Sequence, residues 1–197
     1  MNKLGKKLQY AGSIMVAVLT LIICISNSYA GRSKTNKPRP EINIPELEKQ
    51  IHNLVNIERQ KHGLSPLDWS DELNVIAKKH SQDMADRKYF SHYSPEGNDF
   101  LYRYEKERFN CEIHIGNYIY QGAENIFLNN LFNSVTYIND IAYYDWNTQG
   151  KIAKSTVEGW MKSPGHRHNI LTLHWKTEGI GIIISDEGRV FITQNFC

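Results

Sequence analysis

Apolar residues recur at helical spacing twice in the first half of the chain. Leu47, Ile51, Leu54 and Val55 share one face of a predicted helix that starts near Pro45 and ends at "KHG", where Gly63 suits the residue after the last turn. Past the connection "LSPLDWS", Ser70 is placed to cap a second helix. Asp71 and Glu72 favour its first turn, and Leu73, Ile76, Ala77, His80 and Met84 form its inward stripe. A short third helix is expected over 98–110, and "EIHIGNYIY" within 111–128 alternates as a strand does. The stretch 128–151 is rich in Asn and Tyr without clear periodicity and reads as a long loop or insertion. A helix over about 151–162 brings Ile152, Val157, Trp160 and Met161 inward. "GIGIIIS", "DEG" and "RVFITQNF" then make a strand–turn–strand hairpin. Helices first and strands last, with no repeated β-α-β unit, predict an α+β domain.

The N-terminus follows a different pattern. Lys3, Lys6 and Lys7 precede the apolar run 11–25, and "SNSYA" offers small residues for cleavage after Ala30. Residues 1–30 are therefore expected to be a signal peptide. The alternative is an uncleaved membrane anchor, although the run is shorter than the ~20 residues a spanning helix needs. Ile23 is larger than lipoprotein processing at Cys24 prefers. Residues 31–44 carry Arg32, Lys34, Lys37 and Arg39 with almost no large apolar side chain, and read as a flexible basic linker. The domain is expected over 45–197.

Composition changes the picture in two places. A net charge of +2, four of whose cations lie in the linker, argues against a nucleic-acid partner. Export would remove Cys24 and leave Cys111 and Cys197 as an even pair in an oxidising compartment. They could bridge, adding about 3–4 kcal/mol on a loop-entropy estimate, or stay as free thiols.

Three short motifs hold candidate chemistry. In "YFSHYSPEG", His92 precedes a turn in which Pro95 presets the second position and Gly97 can take positive φ. In "GAENI", Glu124 has apolar neighbours and must find a partner or shift its pKa upward. In "GWMKSPGHRHNIL", Ser163 can cap a helix, Pro164 fits its first position, and His166 extends from the first turn, where the helix dipole favours the neutral, metal-ligating imidazole. His168, two residues on, projects elsewhere. Singly, each of these residues is as readily structural as functional.

In order, "SH-x-SP-x-G", "GAENI", "GWMKSPGHRHNIL", "EGIGIII" and "FITQNF" resemble the CAP superfamily, whose unit is the SCP domain, in its prokaryotic secreted branch. The opening "LVNIERQKHGLSPLDWSDEL" is similar to that family's first two helices. The resemblance spans about Leu47 to Cys197. It implies an α-β-α sandwich with a small antiparallel sheet of three strands between helical layers and a cleft on one side. It also implies a cleft lined by two histidines and two glutamates, with the histidines able to bind a divalent metal. His92 and His166 match the histidines and Glu124 the first glutamate. Ser163 stands where the second glutamate usually lies, and Glu158 faces the wrong way to replace it. Two imidazoles and one carboxylate still make an open site for Zn²⁺ or another divalent ion, expected to bind more weakly than a full set.

Three functions remain open to the sequence. A metal-bound water with Glu124 as general base could hydrolyse cell-wall or other extracellular polymer, although no nucleophile motif and no "HE-x-x-H" helix is present. A binding module could instead take lipid in an apolar groove, or a partner protein on the Tyr- and Phe-rich segment 127–146. An exported structural domain without cleft chemistry is the third.

Overall fold

The computed structural model describes residues 38–197. The expected leader 1–30 and linker positions 31–37 lie outside the described residues. From Arg39 onward the linker is docked on the domain. The Arg39 guanidinium donates to the carbonyls of Asp186 (2.8 Å) and Ser185 (3.0 Å), and Ile42 packs against the core.

In chain order the elements are α1 (Ile44–Lys61), β1 (Asp68–Trp69), α2 (Asp71–Asp86), α3 (Phe100–Lys106), β2 (Ile113–Ile115), β3 (Tyr118–Tyr120) and β4 (Ala123–Asn130). They continue with β5 (Phe132–Ile138), β6 (Ile141–Trp146), α4 (Gln149–Lys162), α5 (Pro164–Leu171), β7 (Thr177–Ile184) and β8 (Arg189–Phe196). The main sheet has the order β1-β7-β8-β4. It is one strand wider than expected, because the two residues of β1 pair in parallel with Thr177 and Glu178. Two residues carry no periodicity, so no pattern in the sequence announces them.

Side-chain caps set the helix starts. Asn43, Ser70, Asp99 and Thr148 each accept a backbone N–H of the first turn. The third helix is shorter than 98–110. Its chain turns left-handed at Arg108 (φ 57°), while the N–H groups of Arg108 and Phe109 reach back to the carbonyls of Glu105 and Tyr104.

The sheet lies between two helical layers. On one face Leu47, Ile51 and Val55 of α1 and Ile152, Val157 and Trp160 of α4 cluster with Ile180, Ile182, Ile192 and Phe196. On the other, α2 lies almost directly on β7. A Cβ at Gly179 would sit 2.1 Å from Asn74 N, and one at Gly181 would sit 2.0 Å from Lys78 N. The "GIGIII" spacing thus gives one face of the strand its isoleucines and clears the other for a helix backbone.

The segment read as a loop over 128–151 is largely β structure. β4 runs to Asn130, and β5 and β6 form a hairpin around Asn139 and Asp140, both at positive φ. That pair of dihedrals is the two-residue turn that matches strand twist. At its base Tyr144 stacks on Trp146, and Phe132 meets both rings edge-on.

Candidate functional site

The loop after α2 is built to hold His92 still. The N–H of Gly97 donates to Ser94 O across the Ser94–Gly97 turn, and Gly97 takes φ +87° as expected. The Arg87 guanidinium meets both oxygens of Glu96, which holds that carboxyl down at about 2.

Glu124 lies in β4 with its side chain only 1% exposed. Its two oxygens are taken by two partners. Oε2 accepts from Arg103 Nη2 at 2.6 Å, and Oε1 lies 2.9 Å from His92 Nδ1. An ionised carboxylate only accepts, so Nδ1 carries the proton and Nε2 is the free ring nitrogen of His92. The same Arg103 Nη2 donates to His92 O (3.1 Å), and Nη1 donates to Asn98 O (3.3 Å), which ties the loop to the strand.

His166 faces this pair from α5. Its ring centroid is 6.1 Å from that of His92, tilted by 52°, so the two imidazoles come together as the motifs suggested. Burial, and then the nearby His92 charge, lower the His166 pKa and favour the neutral ring. His92 is 43% exposed, so the imidazole pair opens to solvent. A cavity of about 490 Å³ is lined by Arg103 and His80 together with other residues of α2 and α3, and by neither imidazole of the pair.

The other expected residues fall as follows. Ser163 occupies the cap position of α5, but its side chain makes no capping bond; its N–H instead closes α4 on Gly159 O and Trp160 O. No bond joins it to either imidazole. Glu158 is exposed beside Lys154, away from the cleft. His168 is exposed and lines a different groove with Arg167 and His174. Cys111 and Cys197 are bridged, with Cα atoms 5.6 Å apart.

Residues 52–196 match the Cysteine-rich secretory protein family, CAP. The chain belongs to the CAP family. Within it, the chain is 32% identical over 149 residues to the uncharacterized membrane protein YlbC of Bacillus subtilis, covering 76% of this chain and 34% of that protein. It is 30% identical over 168 residues to the uncharacterized protein YkwD of the same organism, covering 85% and 52%. Among solved structures, an extracellular protein containing an SCP domain from Bacillus anthracis aligns with a TM-score of 0.54 and 28% identity, over 78% of this chain and 40% of that one. The chain thus spans between about a third and a half of these relatives' lengths. These relatives agree with an extracellular type of CAP domain in a prokaryotic branch. Among the described residues, no helix is long and apolar enough to cross a membrane.

Two residues beside Glu124 carry no motif in the sequence. Arg103 neutralises Glu124, and nothing in the spacing of "FLYRYEK" singles it out. His80 was assigned to the inward stripe of α2 and does lie there, but its Nε2 also comes within 3.8 Å of Glu124 Oε1 while donating to Ser91 O at 3.1 Å. Burial lowers its pKa.

Proposed function

We propose that this chain is an exported CAP domain whose His92 and His166 hold a divalent cation, such as Zn²⁺, in a cleft that acts on cell-wall or other extracellular polymer. One observation carries the reading: the Glu124 carboxylate receives His92 Nδ1–H, which leaves Nε2 without that partner, and the His166 ring centroid lies 6.1 Å from that of His92. A ligating imidazole is commonly oriented in this way by an acid behind it.

The donor set fits a cation held by two protein nitrogens. Among the described residues, no group of three His, Cys, Asp or Glu side chains surrounds a single point. Both Glu124 oxygens are engaged, so that residue orients His92 and is poorly placed to ligate the ion or to take a proton from water, the role first assigned to it. Arg103 lies against Glu124 Oε2, and burial, then the nearby His92, lower the His166 pKa and so favour its neutral ring. Solvent or substrate would complete the coordination. Once bound, the cation would polarise a carbonyl or lower the pKa of water. Titration calorimetry with Zn²⁺ is expected to give heat in the wild type and none in the double variant His92→Ala, His166→Ala. Equal heat in both would refute the site. Turnover of wall polymer that survives the same double change would refute its part in hydrolysis.

A second observation favours a binding module. An apolar groove of about 820 Å³ runs between α1 and α4, lined by Leu54, Ile57, Ala153, Val157 and Met161 with Lys61 and Lys162 at its edge. Glu58 and Glu158 line the same groove and pair with Lys61 and Lys154, so its apolar part suits a lipid chain while its charges favour no particular head group. Lipid recovered by mass spectrometry from both the wild type and the double histidine variant would favour this reading.

A further inference from the structure

A row of buried polar side chains crosses the sheet on the face opposite to the Glu124 carboxylate. Glu178, Gln194 and Asn125 are each 0% exposed. At one end, His52 Nδ1 lies 2.6 Å from Glu178 Oε1, and Gln194 Nε2 donates to Glu178 Oε2. Gln194 Oε1 then accepts from Asn125 Nδ2 at 2.9 Å, and Asn125 Oδ1 accepts from Asn169 Nδ2 at 2.9 Å. The other end reaches the site. Asn125 Nδ2 also donates to His166 O at 3.2 Å, and Asn169 Nδ2 to Glu124 O at 3.1 Å.

The polarity of this row is fixed at both ends. A carboxylate only accepts, so Gln194 must turn its NH₂ toward Glu178 and its oxygen toward Asn125. Asn125 must then present its NH₂ to Gln194, and the same NH₂ serves the His166 carbonyl. The carbonyls of His166 and Glu124 also only accept, which demands the same orientation from the other end. One arrangement satisfies every member, and a buried row of this kind resists partial loss. Glu178 is the member farthest along the row from the rings, on the inner strand β7, and its charge reaches as far as the buried Arg59 guanidinium.

We propose that Glu178, acting through Gln194 and Asn125, is a positioning residue for the His92–His166 pair: it locks the row that sets the first turn of α5 and the Glu124 backbone relative to each other. This rests on the reading of that pair as the functional site.

The test uses the folded protein, with the ring ¹Hε1–¹³Cε1 NMR signals of His92 and His166 as the first readout and Zn²⁺ calorimetry as the second. Glu178→Met removes the acceptor that starts the row. It is expected to move the His166 signal, leave that of the exposed His114 unchanged, and weaken Zn²⁺ binding about 10- to 100-fold. Glu178→Gln retains an acceptor oxygen for Gln194 and is expected to restore both readouts to the wild-type level. If Glu178→Met does not fold, Asn125→Ala breaks the row at its near end and is expected to give the same two changes. Unmoved ring signals in a folded Glu178→Met or Asn125→Ala variant would overturn the proposal. Should the wild type show no Zn²⁺ heat while the ring signals move, the metal reading fails and the positioning role stands.

Discussion

Glu124 serves two partners whose needs differ. Arg103 needs its charge, because a guanidinium left in that setting without a carboxylate would be a buried unpaired cation. His92 needs only an acceptor for Nδ1–H. Glu124→Ala is therefore expected to cost about 3–5 kcal/mol of stability, most of it from the stranded Arg103. The double variant Glu124→Ala, Arg103→Met should recover part of that loss in urea unfolding. A single variant as stable as the wild type would show that Arg103 finds another partner. His80 gives a pH test at the same scale. Burial lowers its pKa below the ordinary 6.5, so the native state prefers the neutral ring while the unfolded chain takes a proton more readily. Its contribution is thus complete above about pH 6.5 and is lost as pH falls through the lower folded value. Glu48 opposes this trend in the acid range, since burial raises its carboxyl. The comparison is therefore between wild type and His80→Gln: the decline of the urea midpoint from pH 7 to 5 is expected to be shallower in the variant. Equal slopes would remove His80 as the cause. The approach of His92, Glu124 and His166 was legible in the sequence, because each lies in a short motif. Arg103 was not, because its role exists only once α3 folds back over β4.

At the scale of elements, a missing side chain on one strand sets how closely a helix can approach. Gly181 faces the backbone of α2, and the nearest atoms to a Cβ there are main-chain atoms that no rotamer change can move. Gly181→Ala is expected to cost more than about 3 kcal/mol, at the upper end of overpacking changes. Gly165 is the matched control. It lies in α5 with open space around its Cβ position, so Gly165→Ala should be neutral or stabilising by up to about 1 kcal/mol, from helix propensity alone. Thermal unfolding of the two variants side by side separates close packing from any general intolerance of alanine for glycine. The same contrast explains which elements the sequence revealed. α1, α2, α4 and the β7–β8 hairpin each bury a continuous face and so imprint a period on the chain. The β5–β6 hairpin does not, because Tyr137 and Ile138 at its tip stay exposed and no apolar face is enforced along its length. Its turn is Asn-Asp, without the glycine that would have marked it.

Across the whole molecule, the fold class and the order of layers were readable because they depend on periodic faces and on five motifs in sequence. The fourth strand was not, since β1 exists only where Asp68 and Trp69 happen to lie against β7. The Cys111–Cys197 bridge belongs to this scale as well. It joins the chain just after α3 to the end of β8, across 86 residues. Glu124 pairs with Asn195 two residues before that end, and Arg103 lies on α3, so the bridge ties the chain after α3 to the strand that pairs with β4. Tyr104 reinforces the junction by donating its hydroxyl to Phe196 O at 3.0 Å. Closing so long a loop restricts the unfolded chain, and the loop-entropy estimate is about 4.6 kcal/mol. The variant Cys111→Ser, Cys197→Ser is expected to unfold at markedly lower urea, by no more than that amount, and with a steeper slope, because its unfolded chain is less compact. Because the Tyr104 and Arg103 contacts do not depend on sulfur, the variant should still fold and keep the ring signals of His92 and His166. Identical midpoints with and without the bridge would mean that those contacts alone confine the C-terminus.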